Sequence, residues 1–336
     1  MLPKEIVRRC IRHQNPVRLG FDFLDPDFRD IRYIACPPLK PPADGKFSDW
    51  GNHASLSKAS GFHGETRLDT WGNVYGRLGG RTKGECVLGA LQNGWEALSD
   101  YTFPVIDERN DWYDHDAHTT GRYLLCGLPT GVFSTLRDVR RIDNALMDVL
   151  EEPEMVSEFV GRVTDLTIRL IQSLAGGRAD GVIMADDWGT QSAPLINPEA
   201  FQRLFMPHYK RIADTCHALD IDFMLHSCGY VLPLVHHMLD AGIDVLQFDQ
   251  PELVGSSVWA DQFGRRAAFY MPVDIQKILP TGDRRLIEET ALSMATRFKA
   301  CGGSLIAKDY PSLDDINVHP DWAKWARDII VENAWL

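Results

Sequence analysis

From about residue 120 onward, apolar positions alternate between two spacings. Short runs rich in Val, Ile, Leu, Phe and Met close on Asp, Gly or Pro, and the longer stretches between them repeat apolar residues at helical spacing. The short runs predict strands at 123–127, 181–187, 222–228, 244–249, 267–272 and 304–309. Strands alternating with helices imply a parallel sheet with right-handed crossovers. Two more strands, at 17–23 and 32–36, bring the set to eight, so the chain is expected to be an α/β protein folded as a (β/α)8 TIM barrel. Prolines in 36–42 argue against the second of these, since proline cannot donate to a ladder.

Helix signals punctuate the same pattern. Asn197-Pro198-Glu199 combines a capping side chain with proline at the first helical position and leads into a helix over 200–219. Helices at 231–241 and 283–300 run into Gly242 and Gly302-Gly303, which suit left-handed caps. The stretch 46–109 breaks the rhythm. It is rich in glycine and aromatic residues, with a hairpin predicted through 68–78 turning at Gly79-Gly80, and it reads as an elaboration of the N-terminal region covering the barrel. No repeat of fixed period is visible, so residues 1–336 are expected to form a single domain.

Composition narrows the function classes. A net charge of −12 would repel a phosphate backbone, which argues against nucleic acid and for a small-molecule substrate. No window is long and apolar enough for a membrane span. Met1-Leu2-Pro3-Lys4-Glu5 leads into a charged segment without the apolar run of a secretory signal, so the expected location is cytoplasmic. The seven cysteines lack CxxC spacing and read as free thiols. An acidic barrel of this size is compatible with a homodimer.

The chemistry centres on His226-Ser227-Cys228. Spacing i, i+2 on a strand puts imidazole and thiol on one face, and the C-terminal end of a barrel strand is where such enzymes build their sites. The pair suits Zn²⁺, which needs a third ligand. Cys301 precedes its strand and lies at the wrong end of it. Asp187, Asp249 and Asp309 end strands, and His63 or Glu65 lies in the elaboration; Asp309 is the leading choice. In Asp186-Asp187-Trp188, alternation lets only one carboxylate look inward, as an acid or substrate ligand. Lys308 near a strand end could act as a nucleophilic amine. Candidate substrate contacts are Arg18, Trp71, Trp188, Gln191 and Tyr310, while Trp95 and Trp112 are further candidates to line a cavity. His236-His237 falls on a helix behind the barrel and reads as surface.

At these residues the chain resembles uroporphyrinogen decarboxylase-like proteins and their relatives, the zinc-dependent corrinoid methyltransferases. The likeness rests on Asp186-Asp187-Trp188-Gly189-Thr190-Gln191, Pro194-Leu195-Ile196-Asn197-Pro198-Glu199 with Pro207-His208-Tyr209, His226-Ser227-Cys228-Gly229 and Ala241-Gly242-Ile243-Asp244-Val245-Leu246-Gln247, in that order. The arginine-rich motif of authentic decarboxylases is missing, since Val17-Arg18-Leu19-Gly20-Phe21-Asp22 stands there. The methyltransferase branch is the better match. It implies zinc on His226 and Cys228 and a corrinoid carried by a partner protein. Where thiol-activating members have a cysteine after the last strand, this chain has Lys308-Asp309-Tyr310, so a carboxylate would have to take its place. The resemblance implies methyl transfer between a small molecule (a thiol, ether or aryl methyl ether) and the corrinoid. The alternatives are a metal-free decarboxylase or lyase using Asp187 with Arg18 or Lys308, and a non-catalytic ligand-binding barrel.

Overall fold

The computed structural model describes residues 1–336 except 43–44, 80–83, 108 and 110–111. Eight parallel strands make the nearly closed wall of a (β/α)8 barrel: β1 (Gly20–Asp22), β2 (Ile31–Ile34), β3 (Tyr123–Gly127), β4 (Gly181–Ala185), β5 (Asp222–His226), β6 (Val245–Gln247), β7 (Ala268–Met271) and β8 (Leu305–Lys308). Each lies where the sequence pattern puts a strand. Ladders run continuously from β2 through β3 to β8 and on to β1. Between β1 and β2 there is a 3-10 turn, Pro26–Phe28, in place of a helix, and the seam is bridged by the Asp30 carboxylate accepting from the Phe21 N–H at 2.8 Å. Strands β4 and β5 end two residues earlier than the sequence pattern predicts, because the chain leaves the ladder there to build the rim.

Alternation along each strand separates two cores. Val182, Met184, Phe223, Leu225, Leu246 and Phe269 face the surrounding helices, whereas Ile31, Leu125, Met224, Val245 and Ile306 fill the barrel interior. The bottom is plugged by a helix that the sequence pattern did not predict, α1 (Pro3–Ile11), through Ile6, Val7, Cys10 and Ile11. Its basic face meets the acids at the strand starts: Lys4 Nζ lies 2.6 Å and Arg8 3.1 Å from Asp180 Oδ1, and Arg12 reaches Asp222 at 3.0 Å.

Among the outer helices, α2 (Val132–Arg140) follows β3 and α3 (Ile142–Glu151) and α4 (Pro153–Ser173) lead towards β4. Asn197 caps the next helix as expected, its side chain accepting from the Ala200 N–H at 2.8 Å. The expected helix over 200–219 is divided into α5 (Pro198–Leu204) and α6 (Met206–Ala218), with the break at Phe205, just before Pro207, which has no N–H to continue the ladder. Gly242, Gly302 and Gly303 adopt positive φ of 93°, 89° and 81°, as the helix ends require.

The elaboration contains a four-stranded antiparallel sheet of Ser48–Gly51, Glu65–Leu68, Val74–Arg77 and Glu85–Leu88. The chain turns twice here: Asp69 accepts from the N–H groups of Trp71 and Asn73 in a turn the sequence pattern did not predict, and Val74–Arg77 then pairs antiparallel with Glu85–Leu88, so the chain also reverses after Leu78 as expected, with Gly79 at a positive φ of 65°. Gly80, the other half of the expected turn, lies outside the described residues. The sheet is tied to α2 by the Tyr75 hydroxyl, which donates to Asp138 at 2.6 Å.

Asp180 is buried and also accepts from the Leu124 N–H at 2.9 Å. Its replacement by alanine strands two cations and an amide, so Asp180→Ala is expected to lower the unfolding free energy by about 3 kcal/mol in urea titration. A second expectation concerns His208 on α6, packed against α4 with the Thr164 hydroxyl 3.1 Å from Nδ1. Burial, assisted by Arg211, lowers its pKa from 6.5 to about 4. The folded protein therefore resists a proton that the unfolded chain accepts, and the histidine's contribution is complete above 6.5 and lost as pH falls towards 4. The decline in Tm over that window is expected to be shallower in His208→Gln than in wild type; parallel curves would refute this.

Candidate functional site at the C-terminal mouth of the barrel

Inward-facing positions on three neighbouring strands converge just beyond their ladders. On β4 the inward row continues from Ile183 to Asp187, on β5 from Met224 through His226 to Cys228, and on β6 from Val245 through Gln247 to Asp249. One ligand atom each from Asp187, His226 and Cys228 lies within 4.8 Å of the others. His226 Nε2 is 3.3 Å from Asp187 Oδ1 and 3.4 Å from Cys228 Sγ, and the Cys228 N–H donates to Asp187 Oδ1 at 2.9 Å. The group opens on a cavity of about 590 Å³ whose walls include Tyr33, Ile183, Tyr270, Lys308 and Tyr310.

The orientation of the imidazole is fixed from behind. Lys308 Nζ donates to Asp249 Oδ1 at 2.8 Å, and the same carboxylate oxygen accepts from Gln247 Nε2 at 2.8 Å. A carboxylate can only accept, so the Gln247 amide must turn its oxygen towards His226 Nδ1, which then carries the proton. That leaves Nε2 facing Asp187 and Cys228. Burial opposes a charge on His226, but the Asp187 hydrogen bond and the Cys228 contact outweigh it and raise its pKa to about 10. Burial likewise opposes the Asp187 carboxylate, yet His226, the Cys228 N–H and Arg137 hold it down at about 2. The three groups together favour one positive charge at their centre, and a carboxylate, an imidazole nitrogen and a thiol are a donor set that fits Zn²⁺.

Two glycines hold the loops that carry these groups. Gly229, at φ +85°, and Gly189 pass so closely that a Cβ on Gly229 would sit 2.3 Å from the Gly189 backbone, and one on Gly189 would sit 2.5 Å from Tyr230 N. Gly189 N–H donates to the Cys228 carbonyl at 3.1 Å, locking the β4 and β5 loops together.

The remaining candidates are placed as follows. Asp309 does not join His226 and Cys228: alternation turns Lys308 inward and Asp309 outward, where its Oδ2 accepts from the Leu24 N–H at 2.8 Å. Asp187 stands in the third position instead. Asp186 faces away from the cavity and accepts from the N–H groups of Val132, Phe133 and Ser134 and from the Tyr209 hydroxyl, capping α2 where Gly131 has no side chain to do so. Trp188 is fully buried, stacked on Phe133 with ring centroids 4.2 Å apart, and belongs to the core. Gln191 is exposed on the loop beyond it. Arg18 lies at the opposite end of the barrel, paired with Asp30 at 2.7 Å, and cannot hold a substrate at the mouth. Trp71 packs against Phe103 in the elaboration and borders a cavity apart from the main one, Trp95 packs on Phe159, and Trp112 borders another cavity. Lys308 and Tyr310 do line the main cavity, but Lys308 is held as an ion pair with Asp249 rather than as a free amine. Cys301 donates to the Ala260 carbonyl at 3.2 Å, away from the site, and Glu65 is paired with Arg77. His236 on the outer helix Val235–Asp240 meets Arg266. Gln247, Tyr33 and Tyr270 were not singled out from sequence. For Gln247 the signal was present, because it and Asp249 repeat on β6 the i, i+2 spacing of His226 and Cys228.

An eight-stranded barrel with a converging polar cluster at its C-terminal mouth defines an α/β-barrel protein of the kind that carries its chemistry on the strand-to-helix loops. Residues 117–294, more than half of the chain, match the uroporphyrinogen decarboxylase (URO-D) family, and the chain belongs to that family. No curated protein sequence matches it. Among solved structures, a methyltransferase from Methanosarcina mazei aligns over 69% of this chain and 72% of its own, with a TM-score of 0.51 and 14% identity, a likeness of fold. An endo-beta-1,4-xylanase from Gloeophyllum trabeum aligns over 64% of this chain and 77% of its own, with a TM-score of 0.36 and 7% identity.

The two adjacent aspartates should separate cleanly in a stability measurement. Asp186→Ala is expected to cost about 3 kcal/mol in urea unfolding, since three helix amides and a buried phenol lose their acceptor. Asp187→Asn keeps an oxygen for the Cys228 N–H and should stay within about 1 kcal/mol of wild type. Equal losses in both would contradict the assignment of one to the helix cap and the other to the cavity.

Proposed function

We propose that this chain is a zinc-dependent methyltransferase that passes a methyl group between a small molecule (a thiol, ether or aryl methyl ether) and a corrinoid carried by a partner protein. The observation that carries the reading is the meeting of Asp187, His226 and Cys228 at the barrel mouth, with His226 Nε2 turned towards the other two by Gln247. Membership of the URO-D family and the His226-x-Cys228 motif support it, and the methyltransferase from Methanosarcina mazei is a neighbour of the same fold.

Asp187, His226 and Cys228 would hold the metal, with Asp187 in place of a third thiolate. Bound there, zinc would supply Lewis acidity to the heteroatom from which, or to which, the methyl passes. The chain's own groups do the positioning. Gln247 keeps the proton on His226 Nδ1, Asp249 and Lys308 keep Gln247 in register, and Ile183, Tyr33 and Tyr270 give the cavity an apolar and phenolic wall.

Plasma mass spectrometry on protein purified without chelator is expected to find about one zinc per chain, and His226→Ala and Cys228→Ser are expected to lose it. Asp309→Asn should retain the metal. Gln247→Leu should bind it about tenfold more weakly in competition with a chelator, because the imidazole loses the group that orients it. Folded wild-type protein that stays empty after incubation with zinc would overturn the reading.

A further inference from the structure

A second cavity of about 400 Å³ lies between the four-stranded sheet and the barrel rim. Ala185 forms part of its wall, and Ala185 precedes Asp187 by two residues on the inward row of the β4 chain, roughly 7 Å along an extended backbone. From the sheet side the wall is made by Arg67, Asp69, Asn73 and Tyr75.

Arg67 is the anomaly. Its guanidinium lies over the rings of Tyr75, at 4.6 Å from the centroid, and Trp50, at 5.2 Å. Its Nε is buried and has no hydrogen-bond partner, and among the described residues Arg67 forms no ion pair. The acids beside it are already engaged. Asp69 accepts from the N–H groups of Trp71 and Asn73 and from Asn73 Nδ2 at 3.1 Å, and Asp138 accepts from the Tyr75 hydroxyl and from Arg137 at 3.2 Å. With two aromatic rings beside the guanidinium and Nε buried, its two terminal nitrogens are left for recognition, and that pair matches the two oxygens of a carboxylate. In the rest of the lining Leu39, Trp71, Leu128 and Pro129 form an apolar patch beside the hydroxyls of Thr130, Ser134 and Thr135 and the engaged Asp138 carboxylate.

We infer that this cavity is a binding site for a small organic carboxylate, with Arg67 as the residue that reads the anionic end and the patch of Leu39, Trp71, Leu128 and Pro129 as the seat for the rest. The site stands apart from the zinc proposal and does not rest on it. Its place beside Asp187 aligns a bound molecule with the barrel mouth, so the chain would select substrates or effectors that carry a carboxylate.

The test is isothermal titration of wild-type protein with benzoate and, in parallel, with benzamide, which has the same shape without the charge. Benzoate should bind and benzamide should bind at least about tenfold more weakly, the loss expected when a charge-assisted hydrogen bond is removed. Arg67→Met should abolish benzoate binding, and Arg67→Lys, which keeps charge and stem but not the fork, should weaken it about tenfold. Circular dichroism checks that each variant is folded; if Arg67→Met is not, the lysine variant carries the comparison. His226→Ala should bind benzoate as wild type does, which keeps this result separate from the fate of the zinc reading. Equal affinity in wild type and the folded Arg67 variants, no benzoate binding at millimolar concentration, equal binding of benzamide, tighter binding of inorganic phosphate, or loss of binding in folded His226→Ala would each overturn the inference.

Discussion

Alternation of side chains in a closed parallel barrel is the constraint on which the site depends. Every second residue of a strand must enter a narrow interior already filled by its neighbours, and the rule persists for a few residues past the last ladder bond. It sends Asp187 into the mouth and Asp186 out to the helix layer. It admits Lys308 and excludes Asp309. His226 and Cys228, two apart, enter together, as do Gln247 and Asp249 one strand away. A shift of one residue in any of these strands would exchange core for cavity and dismantle the cluster.

Charge is distributed along the barrel axis in the same spirit. At the bottom, Asp180 and Asp222 are answered by Lys4, Arg8 and Arg12 from α1, so the acids that begin the strands sit in ion pairs beneath an apolar plug. At the mouth, Lys308 answers Asp249, and through Gln247 that pair sets the imidazole. Asp187 and His226, which meet beside Cys228, have no lysine or arginine in comparably close contact among the described residues, and Arg137 approaches Asp187 only to 4.0 Å. A carboxylate, an imidazole and a thiol are left facing the cavity together, the donor set on which the proposed zinc would sit.

The loops that carry the cluster are held by backbone rather than by side chains. Gly189 and Gly229 touch at a distance that excludes any Cβ, and the hydrogen bond from Gly189 to Cys228 joins the loops after β4 and β5. Behind them Trp188, Phe133, Phe205 and Tyr209 form an aromatic stack that the Asp186 carboxylate ties to the start of α2. The same acidic-aromatic motif therefore serves two purposes, with one aspartate and the tryptophan building the support and the other aspartate facing the cavity.

The barrel, its eight strands, the capped helix at Asn197 and the shared face of His226 and Cys228 were legible in the residues alone, because they follow from local periodicity and from helix- and strand-ending residues. The sequence also implied that only one of Asp186 and Asp187 could look inward. Which one did, and that Asp187 rather than Asp309 completes the cluster, depended on strand register at the rim, which no local pattern encodes. The burial of Trp188, the position of Arg18 at the far end of the barrel and the plugging helix α1 were settled by contacts between segments distant in the chain. The unpartnered Arg67 is of the same kind: its charge is plain in the sequence, but whether a neighbour neutralises it is decided only when the sheet closes over the barrel mouth.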